Sequence, residues 1–149
     1  MAWHWKVCSF EDLSNAELYG IMQLRQDIFV VEQNCVYPDL DNKDQGADHL
    51  LGLEDQQLLG YLRSLPPGLA YPQSSLGRIV IAPAARGRQL GRELVQRGID
   101  YNMHQWPGVD IIIGAQAHLE SFYATLGFER DGNPYVEDGI PHVHMIYRV

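Results

Sequence analysis

Two cysteines in 149 residues are too few for a disulfide framework, and Cys8 and Cys35 fall in no metal-finger spacing. A reduced, cytoplasmic protein is therefore the expectation. No apolar run approaches the roughly 20 residues that cross a bilayer, so no membrane partner is expected. The start, MAWHWKVCSF, lacks the basic and apolar regions of a secretory signal. Basic residues are also scarce: 11 Lys and Arg stand against 19 Asp and Glu, a formal net charge of −8. That balance argues against nucleic acid as a partner, which calls for a broad basic face. With no repeat, low-complexity tract or linker, residues 1–149 are expected to form one domain around a sizeable core.

The charges that are present are unevenly placed. Residues 1–60 hold eleven acids and three Lys or Arg, whereas residues 61–149 hold eight of each. Five of the 11 basic residues fall between Arg78 and Arg97. A small phosphorylated ligand suits that short basic segment, and the acidic first part suits a cationic partner.

Hydrophobic patterning supplies the elements. Residues 3–10 alternate bulky and polar side chains and read as a strand. Ser14-Asn15-Ala16-Glu17 has the S-x-x-E form of a capping box. A helix is predicted from there, with Leu18, Ile21, Met22 and Arg25 on one face, ending before Ile28-Phe29-Val30-Val31. Residues 37–48 read as a polar loop, 49–53 and 57–65 as a hairpin, and 77–81 as a short strand closed by Pro83. Over 88–105, Leu90, Leu94, Val95, Gly98 and Ile99 share one side of an amphipathic helix. Residues 109–115 form a further strand, followed by a short helix over 119–126 with Gly127 as its C-cap. Strands from Phe128 and over 141–149, with a turn at Asp138-Gly139, complete a mixed α/β sheet.

The segment IAPAARGRQLGREL, residues 81–94, is a strand–loop–helix junction. The free N–H groups of the helix's first turn and its dipole make an anion site. Gly87 and Gly91 keep side chains away from it, while Arg86, Arg88 and Arg92 add charge-assisted bonds. Neither the P-loop nor the dinucleotide-turn spacing is present. By itself the segment reads equally as an arginine-rich turn facing water.

The order strand, P-x-x-R-G-x-x-x-G, helix, strand, then SFYATLGF at 121–128, resembles the GNAT acyltransferase superfamily. The stretches RQDIFVVEQNCVYPDLDNKD (25–44), HLLG (49–52), GAQAHLESFYATLGF (114–128) and EDGIPHVHM (137–145) resemble its ElaA-type subfamily. The resemblance implies a GNAT acyl-CoA N-acyltransferase fold, a mixed, mostly antiparallel sheet flanked by helices. It implies acetyl-CoA as acetyl donor, its pyrophosphate held by the amides of Arg86, Gly87, Arg88, Gln89, Leu90, Gly91 and Arg92. Gln89 replaces the family's usual first glycine. The backbone of Ile79, Val80 and Ile81 would meet the pantetheine arm, and an amide there could polarise the thioester carbonyl. Gln116 stands where relatives carry a cofactor-contacting Asn. Tyr123 would be the general acid to the departing thiolate.

The acceptor side is read from the residues. Asp39, Asp41 and Asp44 suggest a calcium loop, but from Asp39 the fifth position is Lys43 and the twelfth Leu50, so the pattern fails and no metal is expected. Asp39 and Asp41 are instead expected to form an acidic lip at the acceptor entrance. Glu32 and His49 are candidate bases. His142 and His144 share a strand face, a spacing metals use, with no further ligand pattern to complete it. Cys35 is expected to lie away from the thioester, which favours direct attack in a ternary complex over an acetyl-cysteine. The expected reaction is acetyl transfer to a primary amine of a small molecule or peptide of unidentified, cationic character. A non-catalytic acyl-CoA sensor or an interaction module on the same scaffold is the alternative. An exposed strand edge over 143–147 would permit a homodimer.

Overall fold

A computed structural model describes residues 3–149. The strands are β1 (Trp3–Ser9), β2 (Asp48–Glu54), β3 (Gln57–Leu65), β4 (Ser74–Ile81), β5 (Ile111–Gln116), β6 (Glu129–Arg130), β7 (Tyr135–Glu137) and β8 (Ile140–Tyr147). The helices are α1 (Asn15–Arg25), α2 (Leu90–Gln105) and α3 (Glu120–Ala124). One sheet takes the strands in the order β1-β2-β3-β4-β5-β8-β6, with β7 also paired to β8. Its ladders are antiparallel except β4–β5, which is parallel. The mixed, mostly antiparallel sheet flanked by helices is thus the architecture expected.

Local chemistry accounts for most boundaries. The Ser14 hydroxyl accepts the Glu17 N–H at 3.0 Å, and the Glu17 carboxylate accepts the Ser14 N–H at 2.9 Å. This closes the capping box that starts α1. Asp138 and Gly139, both at positive φ, make the tight β7–β8 turn. Two boundaries differ from expectation. The first helix does not stop before Ile28 but continues as a π-helical stretch, Gln26–Glu32. Ile28 is buried there with Ile21, Leu51, Tyr61 and Val80, and that packing overrides the weak helix preference of β-branched residues. The second helix begins at Leu90 rather than 88, because Gln89 adopts a left-handed φ of 58° as its N-cap.

Helices pack on both faces of the sheet. Leu94, Val95 and Ile99 of α2 join Tyr123, Ile111, Ile113, Ala115 and Val143 in one core. A Cβ on Gly98 would come within 2.9 Å of Leu62, so this glycine lets α2 approach the sheet closely. The α1 side forms the second core. The expected open edge over 143–147 is not open: β8 pairs with β5 on one side and with β6 and β7 on the other. The sheet ends instead on β1 and β6.

Candidate active site

The parallel β4–β5 ladder is registered only at Ser74↔Ile111 and Ser75↔Ile112. Beyond it the strands separate, and the β5-facing backbone of residues 77–81 has no strand partner. Arg78, at φ 50°, marks the distortion, where the β3–β4 register also slips. Asn102 fixes the start of the split: buried on α2, its amide donates to the Ser74 hydroxyl at 3.2 Å and the Ser75 carbonyl at 3.1 Å.

Two cavities lie along this split. The first, about 410 Å³, is lined by Ile81, Ala85, Arg86, Gly87, Gln89, Leu90, Gly91, Arg92 and Phe122. It combines the predicted anion loop with the uncapped N-terminus of a 16-residue helix. Gly87 lies at φ 80°, and a Cβ there would meet nothing within 4 Å, so the loop is open toward a ligand. Each arginine has a partner: Arg86 pairs with Glu32 at 2.7 Å, Arg88 with Glu54 at 3.1 Å, and Arg92 donates to the Thr125 hydroxyl at 2.8 Å.

The second cavity, about 220 Å³, opens between the separated strands. Leu76, Gly77, Arg78 and Ile79 line one side, and Ile113, Gly114, Ala115 and Gln116 the other. Tyr123 lines it as well, buried to 6% exposure, and burial pushes its phenol up to about 12. The two cavities share no lining residue but draw on neighbouring positions of the same elements, with Ile79 and Tyr123 in one and Ile81 and Phe122 in the other. Val80 instead points its side chain into the α1-side core. Gln116 donates across the cavity to the Gln33 side chain at 3.2 Å.

Both predicted bases are displaced from this cavity. His49 is fully buried, with Nδ1 2.6 Å from the Tyr61 hydroxyl and Nε2 2.9 Å from the Asp44 carbonyl. Glu32 lies outside the cavity lining and binds Arg86. The acidic lip is corrected too, because its carboxylates face inward onto arginines. Asp39 binds Arg25 and Arg78, each at 2.8 Å; Asp41 binds Arg63 and Arg78; Asp44 binds Arg25 at 2.6 Å and Arg63 at 3.0 Å. The sequence signal for this cluster was Arg25 on the apolar face of α1. Cys35, expected to be remote, lines the cavity and donates to the Asp138 carbonyl at 3.3 Å. The cavity also holds Glu137, Asp138 and His142, none of which sequence reasoning had placed there.

Comparison with known proteins fits this geometry. The acetyltransferase (GNAT) domain profile matches residues 29–149. A UPF0039 protein of Synechocystis is 43% identical over 99% of this chain and 95% of its own. Protein ElaA of Escherichia coli is 38% identical over 97% of this chain and 96% of its own. The ElaA crystal structure superposes with a TM-score of 0.92, covering 99% of this chain and 100% of that one. An acyl-CoA N-acyltransferase from Pseudomonas aeruginosa gives a TM-score of 0.93 at 39% identity, over 97% of this chain and 99% of that one.

Proposed function

Because the chain belongs to the GNAT acetyltransferase family, we propose that it transfers an acetyl group from acetyl-CoA to a primary amine by direct attack in a ternary complex. The observation that carries this reading is the pair of neighbouring cavities along the β4–β5 split, one at the anion loop and one at Tyr123. The loop suits a pyrophosphate: an uncapped helix terminus, an open glycine and arginines at hand. Backbone amides from Arg86 to Arg92 would hold it, and the β5-facing side of the Ile79, Val80 and Ile81 backbone would meet the pantetheine arm. Acetyl-CoA supplies the thioester.

Tyr123 defines the leaving-group end. A phenol held at about 12 stays protonated throughout the neutral range and therefore always donates. Full transfer to a thiolate, whose conjugate acid sits near roughly 8.5, runs uphill. The phenol thus lowers the barrier chiefly by a hydrogen bond to the sulfur as charge develops on it. At the acceptor end, Glu137 and Asp138 replace Asp39 and Asp41 as the carboxylates that would attract an ammonium group.

The test uses acetyl-CoA with spermidine, phenethylamine and dialanine as acceptors, following release of free thiol. Turnover of at least one amine is expected, with Tyr123→Phe losing about tenfold or more in kcat while binding acetyl-CoA normally. Binding without turnover of any amine would instead favour the acyl-CoA sensor.

A further inference from the structure

We infer that His142 is the base that receives the proton of the attacking amine, an assignment that rests on the acyl-transfer reading above. Strand parity places it. Ile111, Ile113 and Ala115 of β5 share the α2-side core with Tyr123, so Ile112, Gly114 and Gln116 face the opposite side of the sheet. In the antiparallel β5–β8 ladder His142 stands opposite Gln116, and His144 opposite Gly114, so both histidines lie on that second face. Tyr123 and His142 nevertheless line one cavity. The cavity therefore passes through the sheet where β4 and β5 part. Tyr123 borders it from the α2 side and His142 from the opposite face.

The imidazole is held in a form suited to a base. Its Nδ1 lies 2.7 Å from the Ile140 carbonyl, an acceptor only, so Nδ1 carries the proton. Nε2 is left with its lone pair and makes no hydrogen bond to a described residue; its nearest charged neighbour is Glu137, at 4.0 Å. The ring stacks on Tyr135, with centroids 5.6 Å apart and planes at 26°, and is buried to 9% exposure. Tyr135 and Glu137 of β7 and His144 of β8 are its titratable neighbours, with Asp138, Cys35, Arg78 and His118 elsewhere around the cavity. His118 is exposed, and no described residue hydrogen-bonds its ring. A preset tautomer with an open Nε2 distinguishes His142 from it.

The step balances without a further reactant. The amine nitrogen attacks the acetyl carbonyl carbon, the C–N bond forms, and the C–S bonding pair leaves on sulfur, hydrogen-bonded by Tyr123. The nitrogen's proton passes to Nε2 of His142. The resulting imidazolium faces the Glu137 carboxylate and returns its proton to water, as the thiolate takes one up.

Two measurements test this. Nitrogen-15 spectra of histidine-labelled wild type, without any ligand, should show His142 protonated on Nδ1 when neutral. Acetyl transfer to the best of spermidine, phenethylamine and dialanine should fall at least tenfold in kcat in His142→Asn, with KM for acetyl-CoA unchanged. Asn retains a donor for the Ile140 carbonyl but offers no base. In His142→Ala, added imidazole should restore part of the lost rate, which a structural role would not allow. A proton on Nε2, or a wild-type rate in His142→Asn, overturns the assignment while leaving the acyl-transfer reading intact. A wild type that turns over none of the three amines overturns both.

Discussion

At Gln89 the backbone takes φ 58°, a conformation that costs a non-glycine residue about 1–2 kcal/mol. A glycine, which the resemblance would place there, takes that conformation without the penalty. Gln89 is the left-handed cap of α2 and not part of the helix. Gln89→Gly should therefore stabilise the fold by about 0.5–1 kcal/mol, the relief being offset by glycine's unfolded-state entropy. Urea unfolding would check this as a higher midpoint at unchanged slope. Cys35 is the other residue whose placement matters. It lines the cavity that Tyr123 also lines, so an acetyl-cysteine regains the geometric option that its expected remoteness had removed. Direct attack predicts intersecting lines in double-reciprocal plots of rate against both substrates, and an acetyl-enzyme predicts parallel ones.

Among the elements, the π-helical stretch Gln26–Glu32 has the widest reach. It supplies Phe29 to the cavity that Tyr123 lines, leads into Gln33, and sets Glu32 against Arg86 of the loop before α2. Glu32 would thus compete with a bound phosphate for that guanidinium. Glu32→Gln should tighten acetyl-CoA binding up to about fivefold, the range of an exposed ion pair; calorimetry would show it, and weaker binding would contradict it. Capping boxes, amphipathic periodicity and the Asp-Gly turn made α1, α2 and the β7–β8 hairpin legible in the sequence, because they are local codes. The split between β4 and β5 was not legible, since it depends on where a parallel ladder stops. His142 was hidden for a related reason: its tautomer and its access to the cavity arise only once β7, β8 and β5 are paired. Asn102 did leave a trace, as a polar residue on the apolar face of α2, three positions beyond Ile99.

Over the whole molecule, the acidic first part is less free to act on ligands than its net charge suggests. Three of its aspartates are bound to Arg25, Arg63 and Arg78, two of those arginines coming from the charge-balanced remainder of the chain. Burial alone would raise the Asp41 carboxyl, but its bonds to Arg63 and the charge of Arg78 hold it well below the ordinary 3.8. Burial also lowers His49 from its ordinary 6.5. Both groups have depressed folded-state values, so each stabilises the fold above its unfolded value and loses that contribution as pH falls. Tm should therefore drop first below about pH 6.5, as unfolded His49 takes up protons, and again below about 3.8 through Asp41. His49→Gln should flatten the first step in a thermal melt series. If that step survives the substitution, another group is responsible for it.

Binding of acetyl-CoA by the anion loop and the β4–β5 split is the premise on which the proposed reaction stands. Its most direct test is calorimetric titration of the protein with acetyl-CoA at low and high salt, repeated with Arg86→Ala and Arg88→Ala. Saturable binding that weakens with added salt and with either substitution is the expected result. An absence of binding at millimolar acetyl-CoA would contradict it and leave the arginines as a solvated helix turn.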